Sequence, residues 1–385
     1  MNTSPCRILV IGQENLATTT GGAISVFRQF CHVLAHNGYA VTAACHSECP
    51  DTPAWLDPSV RFVNFRSCYG EALPFRKGIH RLVAEIRPSL IVFFFPHLYR
   101  MARLEKAWDS IPRILMFHSR PDYYFALFPH LKRHLRRNYV NTHALILAES
   151  YRKLLPGYIR RGPVSVIPNP VPMPQEEARH HSEHKKMVYF SRIDAGKGME
   201  LLIDAMALVA RKHPDWSVDV FGQVDPEAYQ RHLQMLISQK GLERQVVLKG
   251  LSPLSAGATL VQYDFCLFPS RFEGFSVGLA ETLAVGLPAV GLKSCSGVNE
   301  MIRDGENGLL CDDTPESLAQ AACTLIEQAD LRERMGRNAR QWARRYEPQK
   351  VEAQWLDLVE RLVHASPEYP LLPVKKLIRM FHVKY

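Results

Sequence analysis

Residues 265–290 read FCLFPSRFEGFSVGLAETLAVGLPAV. An apolar run, a polar loop, a segment of small residues and a second apolar run follow one another, an order typical of strand, loop, helix and strand in a parallel sheet. Glu273 lies in the loop, and Glu281 lies more than one turn inside a helix predicted to begin near Ser276. Open parallel sheets bind ligands beyond the carboxyl ends of their strands, so the two acids mark a candidate site. Taken alone, they fit one ion-paired and one solvated carboxylate equally well.

The chain on either side of this stretch alternates strands and helices in two series. The first series has apolar strand segments at residues 7–12, 40–45, 90–95, 113–117, 144–148 and 164–167. The second has them at 187–190, 217–222, 246–250, 265–270 and 288–292, and ends in three helical segments. This pattern predicts an α/β protein with parallel, helix-covered sheets. We predict an N-terminal domain over 1–170 and a C-terminal domain over 171–347, with residues 348–385 rejoining the first domain.

The boundary between the two series reads IPNPVPMPQEEARHHSEHKK and carries a proline at every second position from Pro168 to Pro174. This composition indicates an interdomain linker. Its three histidines, His180, His181 and His184, could be read as metal ligands, but we interpret them as solvated linker residues.

The overall composition is that of a globular protein, with 46% hydrophobic and 22% charged residues among 385. Nine cysteines occur without a CxxC pair, which favours neither disulfides nor zinc and fits a reducing compartment. The N-terminus lacks the pattern of a signal peptide, and the longest apolar run, LIVFFF, is too short to span a bilayer. The sequence therefore predicts a cytoplasmic location.

Positive charge is concentrated in the N-terminal half. Residues 76–161 contain 17 Lys or Arg against 5 Asp or Glu, a net charge of +12 in a chain whose total is +9. This asymmetry points to an anionic partner, which could be a nucleic acid, an anionic lipid or a phosphorylated substrate. A solvated basic face is the alternative.

Two further loops after strands carry residues suited to anions. Gly21 and Gly22 follow the first strand at a helix start, where backbone N–H groups and the helix dipole attract negative charge. Arg192 and Lys197 occupy the loop SRIDAGKG after the first strand of the second series, and two cations there suit a diphosphate. Neither loop has the spacing of a nicotinamide-binding or P-loop motif.

Taken together, these elements resemble the retaining glycosyltransferases of family 4. The resemblance covers nearly the whole chain and is carried by the GG loop, HSR at 118–120, VSVIPNPV, FSRIDAGKGMELLI, VVLKG, the stretch quoted first and EMIRDGENGLL. Its most specific part is the pair of glutamates with seven residues between them, preceded by Arg192 and Lys197. It implies the GT-B fold, two Rossmann-like domains with parallel sheets facing a central cleft.

The resemblance also implies a role for each candidate residue. Glu281 would accept hydrogen bonds from the ribose of a nucleotide sugar, and Glu273 would bind hydroxyls of the transferred sugar. Arg192 and Lys197 would hold the diphosphate. His118 would touch the sugar. Backbone groups would complete the donor site, at Gly22, Gly250, Gly274, Phe275 and Ser276. Ser276 stands where many family members have glycine.

The family's commonly proposed reaction is a same-face substitution without a side-chain nucleophile. The sequence contains no DxD motif, so we predict a metal-independent enzyme with no cofactor beyond its donor substrate, expected by family frequency to be a UDP-sugar carrying a hexose or N-acetylhexosamine. The N-terminal domain of this fold binds the acceptor. We predict a lipid-linked or lipid-anchored saccharide, as in bacterial lipopolysaccharide, capsule or O-antigen assembly.

Two basic segments bear on the membrane. The first, at 125–140, reads FALFPHLKRHLRRNYV and contains four cations. Its apolar residues Phe128, Leu131, Leu135 and Tyr139 have the spacing expected for one face of a single helix. The helix would either lie on an anionic membrane surface or pack on its own domain with solvated arginines outside. The second, the tail at 369–385, combines further cations with an apolar run. It favours the membrane alternative, and we predict peripheral association at the inner face of the cell membrane.

Two other classes of protein compete with this prediction. A nucleotide-sugar 2-epimerase shares the fold but is not expected to combine the two glutamates with the upstream Arg and Lys. A nucleic-acid-binding protein would explain a pI near 9.1, but the basic residues lack the interleaved aromatics or a named motif. We therefore predict no nucleic-acid partner.

Overall fold

The computed structural model describes residues 5–12, 22–45, 56–65, 72–175, 184–224 and 226–364. The chain divides into two compact units, here called unit 1 and unit 2. Unit 1 contains the residues up to Ile167 together with those from Glu352 onward, and unit 2 runs from Pro168 to Val351. The chain thus passes from one unit to the other twice.

Unit 1 is built on a seven-stranded, all-parallel sheet in the order β3-β2-β1-β4-β5-β6-β7. Its strands are β1 (Arg7–Ile11), β2 (Ala40–Cys45), β3 (Arg61–Asn64), β4 (Leu90–Phe93), β5 (Arg113–Phe117), β6 (Thr142–Ile146) and β7 (Val164–Val166). Its helices are α1 (Gly22–His36), α2 (Ala72–Ile86), α3 (Pro96–Ala102), α4 (Pro121–Leu127), α5 (Pro129–Asn138) and α6 (Gly157–Arg160).

Unit 2 is built on a six-stranded parallel sheet in the order β10-β9-β8-β11-β12-β13. Its strands are β8 (Lys186–Phe190), β9 (Ser217–Phe221), β10 (Val246–Gly250), β11 (Phe265–Phe268), β12 (Ala289–Leu292) and β13 (Gly308–Cys311). Its helices are α7 (Met199–Lys212), α8 (Glu227–Gln239), α9 (Ala256–Leu260), α10 (Val277–Ala284), α11 (Ser296–Asn299), α12 (Pro315–Glu327) and α13 (Ala329–Ala343). The last helix, α14 (Pro348–His364), carries the chain back into unit 1.

The predicted fold class, α/β with parallel sheets, is confirmed. The central strands are apolar on both faces because helices cover both, and every residue of β4, β5, β11 and β12 is buried. Two short strands were absent from the sequence prediction. They are β3, an edge strand that is only partly buried, and β13, whose GLLC follows a turn-forming stretch.

The return helix α14 contributes directly to the core of unit 1. The Trp355 side chain is 2% exposed, and its ring meets that of Phe30 on α1 edge-to-face at 5.3 Å. Beside them, Gln29 donates from its Nε2 to the Glu352 carboxylate at 2.7 Å. Unit 1 is therefore completed by a helix that follows unit 2 in the sequence.

The basic segment 125–140 is not one helix. It breaks at Phe128 because Pro129 cannot continue the backbone hydrogen bonds of α4, and α5 begins at that proline. Leu131 and Leu135 are fully buried, and the ring of Phe128 stacks on His97 at 4.9 Å. The apolar stripe thus packs within unit 1. The four cations of α5 are exposed; they are Lys132, Arg133, Arg136 and Arg137. This is the alternative in which the helix packs on its own domain and its cations stay in solvent.

Two predicted features lie outside the described residues: the basic tail at 369–385 and two of the linker histidines, His180 and His181. In the part of the chain that the structure describes, no helix is both long and apolar enough to cross a bilayer.

A buried ion pair ties the start of α13 to the sheet of unit 2. Arg332 and Asp264 are both 0% exposed, and Arg332 Nη2 lies 3.9 Å from Asp264 Oδ1. The Lys186 amide donates to the other Asp264 oxygen at 3.0 Å. Arg332 also donates to the carbonyls of Leu325 and Ile326 at the end of α12. Removing one partner would leave the other charge buried.

Replacement of Arg332 by Met is expected to lower the free energy of unfolding by about 3 kcal/mol, because Asp264 loses its counter-charge. Urea denaturation followed by circular dichroism measures the change. Arg334→Met, at an exposed position of the same helix, serves as the control and is expected to have little effect. Addition of Asp264→Asn to Arg332→Met should recover part of the loss; a double variant no better than the single one contradicts this account.

Candidate functional site

The strand order of unit 2 reverses between β8 and β11, which are neighbours in the sheet. At such a switch point the loops after the two strands diverge and leave a crevice at their carboxyl ends. These are the loops of residues 191–198 and 269–276, which hold the predicted Arg192, Lys197 and Glu273. Sequence and topology thus indicate the same edge of the sheet.

Lys197 and Glu273 form a buried ion pair at this edge. Lys197 Nζ lies 2.8 Å from Glu273 Oε1, and the side chains are 10% and 8% exposed. Lys197 is placed by a 3₁₀ turn over Ala195–Lys197, whose first amides are capped by Asp194, with Oδ1 accepting from the Gly196 amide at 2.9 Å. Because both charges are largely removed from water, the pairing offsets part of their desolvation, and Lys197 Nζ also donates to the carbonyl of Phe272 at 3.5 Å.

The next residue, Gly198, allows the turn to pass close to the second loop. Its φ is +70°, and a Cβ there would lie 2.2 Å from the carbonyl oxygen of Pro269. Only glycine tolerates both the left-handed conformation and this approach. The lysine is therefore held against the loop that carries Glu273.

Helix α10 begins directly after that loop. Ser276 is its N-cap, with Oγ accepting from the Leu279 amide at 3.3 Å. The amides of Val277 and Gly278 belong to the first turn, which has no intrahelical acceptors for them, so this end of the helix attracts anions. A Cβ at Gly278 would lie 2.0 Å from the carbonyl oxygen of Phe190, so the helix start packs directly on the end of β8.

Helix α11 and Tyr346 pack against the rest of this loop, residues 273–275. A Cβ at Gly297 would lie 2.5 Å from the carbonyl oxygens of both Glu273 and Gly274, so α11 presses its backbone against theirs. The ring of Phe275 meets the ring of Tyr346 edge-to-face at 5.1 Å. The predicted backbone positions Gly274, Phe275 and Ser276 thus lie in a firmly packed segment.

Glu281 lies on the second turn of α10 and differs from Glu273 in its surroundings. Burial raises the pKa of its carboxyl to about 7. Among the described residues, none forms a hydrogen bond or ion pair with this carboxylate in the structure. It is thus a desolvated acceptor suited to hydroxyl donors of a ligand.

Two of the predicted residues of unit 2, Arg192 and Gly250, are exposed and contact residues other than the Lys197–Glu273 pair. Arg192 shares the loop of Lys197, but its side chain is 74% exposed, with Asp194 Oδ2 at 3.9 Å from Nε. Gly250, at the end of β10, is exposed with φ +69°, and its carbonyl accepts from the Gly222 amide at 2.8 Å. Both remain at the carboxyl ends of strands, open to a ligand.

In unit 1, Gly22 is the exposed first residue of α1, and Gly21 lies outside the described residues. His118 directly follows β5, and its ring stacks on Phe94 at 4.1 Å. Neither ring nitrogen has a hydrogen-bond partner among the described residues, and burial lowers the pKa of the imidazole to about 3. His118 is therefore neutral and has hydrogen-bonding capacity for a ligand.

Two groups of potential metal ligands occur among the described residues, and neither contains a predicted site residue. One joins His32, His36 and Asp57, and the other joins His213, Cys323 and Glu327. Within them, His32 Nδ1 lies 2.7 Å from Asp57 Oδ2 and His213 Nε2 lies 3.1 Å from Glu327 Oε1. In each group, a histidine and a carboxylate are therefore already paired with each other.

Solved structures share this architecture. A sucrose-phosphate synthase from Thermosynechococcus elongatus matches with a TM-score of 0.78 at 17% identity, over 94% of this chain and 100% of the other. A protein from Anabaena, solved with UDP and glucose, matches with a TM-score of 0.72 at 18% identity, over 92% and 100%. At these identities the likeness shows the fold, which is the GT-B class with two Rossmann-like domains.

Two family models match adjoining parts of the chain. The one described as glycosyltransferase family 4 matches residues 20–173, and the one described as glycosyl transferases group 1 matches residues 174–342. The chain therefore belongs to the group 1, family 4 glycosyltransferases, as the resemblance predicted.

Characterised relatives share only part of their length with it. An exopolysaccharide phosphotransferase from Streptomyces coelicolor is 31% identical over 204 residues, 52% of this chain and 21% of that protein. An alpha-D-kanosaminyltransferase from Streptomyces kanamyceticus is 31% identical over 156 residues, 40% and 39% of the two chains. The chain thus spans well under two thirds of the length of these relatives.

Several residues that shape the site were missed by the sequence prediction. Asp194, Gly198, Gly278 and Gly297 act through the backbone, as a cap or as points of close approach. The glycine inside the helical segment SVGLAE was a usable signal, since a helix-interior glycine often marks close packing. Tyr346 left no comparable signal, because it contacts the loop through the tertiary fold.

The raised pKa of Glu281 predicts a pH-dependent cost in stability. Its folded pKa, about 7, lies above the ordinary value of 4.5 for a glutamate, so its favourable contribution is complete below pH 4.5 and is lost as the pH rises through 7. Glu281→Gln avoids ionisation and should exceed the wild type in unfolding free energy by about 1–3 kcal/mol at pH 8. Urea titrations at pH 8 and pH 4.5 check this; a difference that fails to shrink at the lower pH would contradict it.

Proposed function

We propose that the protein is a retaining glycosyltransferase. It moves a hexose or N-acetylhexosamine from a nucleoside-diphosphate sugar, preferentially a UDP-sugar, to a hydroxyl of a lipid-linked or lipid-anchored saccharide in surface polysaccharide biosynthesis. The observation that carries the proposal is the buried Lys197–Glu273 pair beside the N-terminus of α10, at the switch point of unit 2. Family membership supports the substrate class, as do two relatives named as an exopolysaccharide phosphotransferase and a poly(glycerol-phosphate) alpha-glucosyltransferase.

The proposed donor site separates the two ends of the nucleotide sugar. The diphosphate lies between Lys197, the exposed Arg192 and the first amides of α10, all of which present positive charge. Glu281 accepts hydrogen bonds from the ribose hydroxyls, which relieves its lack of partners. Glu273 binds hydroxyls of the transferred sugar and keeps Lys197 in place.

In the proposed reaction, the bond between the anomeric carbon and the diphosphate oxygen breaks while the acceptor oxygen bonds to the same face of that carbon. The acceptor proton passes to the leaving phosphate oxygen, so no side-chain base is required. Lys197 and Arg192 stabilise the charge that grows on the diphosphate, a contribution that enzymes often obtain from a metal ion. His118, being neutral, contributes hydrogen bonds to the sugar without carrying a positive charge.

A donor screen tests the activity. Purified protein is incubated with UDP- and GDP-sugars in the presence and absence of a membrane extract, and released nucleotide is measured. Release that requires the extract supports transfer. A new sugar isomer formed from the donor alone would instead favour an epimerase, and salt-dependent binding of DNA or RNA without binding of a nucleotide would reject the proposal.

Variants of the two glutamates should separate binding from turnover. Glu281→Ala is expected to weaken donor affinity about tenfold or more, because the ribose loses its acceptor. Glu273→Ala is expected chiefly to lower kcat, because the transferred sugar loses the carboxylate that binds its hydroxyls near the reacting carbon and Lys197 loses its partner. Titration with the donor and steady-state kinetics measure the two effects. Glu316→Ala, at an exposed position in the first turn of α12, is the control; unchanged activity in both site variants would remove the basis of the proposal.

Peripheral association with an anionic membrane is part of the proposed function. The α4–α5 region of unit 1 presents the four exposed cations of α5, and nearby Tyr123 and Leu127 are 53% and 54% exposed. Cations beside exposed apolar side chains suit the headgroup region of an anionic leaflet. This surface would bring unit 1 to a lipid-linked acceptor at the inner face of the membrane.

Reversing two of these charges, with Arg133→Glu and Arg137→Glu, is expected to reduce binding to vesicles containing phosphatidylglycerol by about tenfold or more, at about 1 kcal/mol lost for each cation removed. Vesicle sedimentation at low and high salt measures it. Arg334→Glu with Arg337→Glu, two exposed positions on α13 in unit 2, is the matched control. Equal loss in both double variants would show only an effect of net charge.

A further inference from the structure

The proline-rich segment that follows the first passage between units has no role in the donor site described above. Its prolines, spaced at every second residue from Pro168 to Pro174, fix φ at four of its seven positions and make it a semi-rigid segment. The segment is neither helix nor strand. Val171, near its centre, is fully buried in the core of unit 2. The segment is thus anchored to unit 2.

We call residues 270–284, which comprise the loop after β11 and helix α10, the donor element. Tyr346 links the proline-rich segment, here called the crossing segment, to the start of the donor element. Its carbonyl oxygen accepts a hydrogen bond from the Val171 amide at 2.8 Å. Its ring is the one that meets Phe275, in the loop between Glu273 and α10. One residue therefore touches both the crossing segment and the loop proposed to bind the sugar and phosphates.

Arg340 makes a second link at the other end of the donor element. From α13, its Nη1 donates to the carbonyl of Ala284, the last residue of α10, at 3.0 Å. Its Nη2 donates to the carbonyl of Pro174 at 3.0 Å. A guanidinium is a planar fork, so two carbonyls bound to its two ends are held at a fixed separation. Helix α10 is thus fastened at both ends to the same segment.

We propose that Tyr346 and Arg340 are positioning residues that join the donor element to the crossing segment, so that donor binding at α10 further orders residues 168–174. The proposal rests on the proposed function, since it takes the donor to bind at the start of α10. Their loss leaves the nucleotide contacts intact and disconnects donor binding from the segment that leads into unit 1. It therefore lowers turnover more than affinity.

Hydrogen–deuterium exchange of the crossing segment reports this link directly. Prolines have no amide hydrogen, so residues 168–174 report on Asn169, Val171 and Met173 alone. Saturating UDP, or GDP if only that nucleotide binds the wild type, should slow exchange in this segment about fivefold or more. Arg340→Met and Tyr346→Leu should abolish the slowing, whereas Tyr346→Phe, which keeps the ring that meets Phe275, should preserve it. The main-chain carbonyl of residue 346 is present in every variant, so this comparison tests the ring contact.

Kinetics and binding provide the second readout. Both disruptive variants should lower kcat about tenfold while the nucleotide Kd stays within about threefold. Arg337→Met, on the same helix and ion-paired only with Glu333 among the described residues, is the matched control and should behave as wild type. Wild-type slowing retained in both disruptive variants would overturn the proposal. So would a joint fall of kcat, affinity and melting temperature, which indicates a merely structural role.

The outcomes also separate this inference from the proposed function. Failure of the wild type to bind either nucleotide rejects the proposed function and, with it, the inference. Nucleotide binding without slower exchange at 168–174 rejects only the inference.

Discussion

The contact on which the candidate site depends is the approach of helix α10 to the end of β8. There is no room for a side chain between them, because a Cβ at Gly278 would collide with the carbonyl oxygen of Phe190. This contact brings the loop after β8 next to the loop after β11, and Lys197 of one loop reaches Glu273 of the other. A similar exclusion acts at Gly198, so backbone packing sets the register of the charged groups.

The two glutamates of the site are buried by different means. Glu273 is paired with Lys197 and gains a cation where it loses water. Glu281 loses water without such a partner, and its pKa rises. A site with one compensated and one uncompensated acid beside a buried cation suits a ligand that brings hydroxyl groups to the acids and negative charge to Lys197. That asymmetry suits a nucleotide sugar better than a symmetrical anion.

Strand positions and the locations of the charged loops could be predicted from the sequence, because buried parallel strands are continuous apolar runs and the loops after them stand out by composition. The edge strand β3 and the short β13 were missed since neither is a long apolar run. The segment at 125–140 was wrongly predicted as one helix because apolar spacing was weighed above Pro129. The links made by Tyr346 and Arg340 had no sequence signal at all, since they join residues up to 175 positions apart.

The return of α14 to unit 1 has a consequence for how the protein is made. Trp355 fills a place against Phe30, more than three hundred residues earlier in the chain. During synthesis, unit 1 emerges first but its core stays incomplete until the last described helix has left the ribosome, whereas unit 2 is continuous in sequence. The first-made unit is thus the last to finish folding, and its incomplete core must be kept from aggregating while unit 2 is synthesised. A fragment ending at the first passage between units would lack this helix permanently.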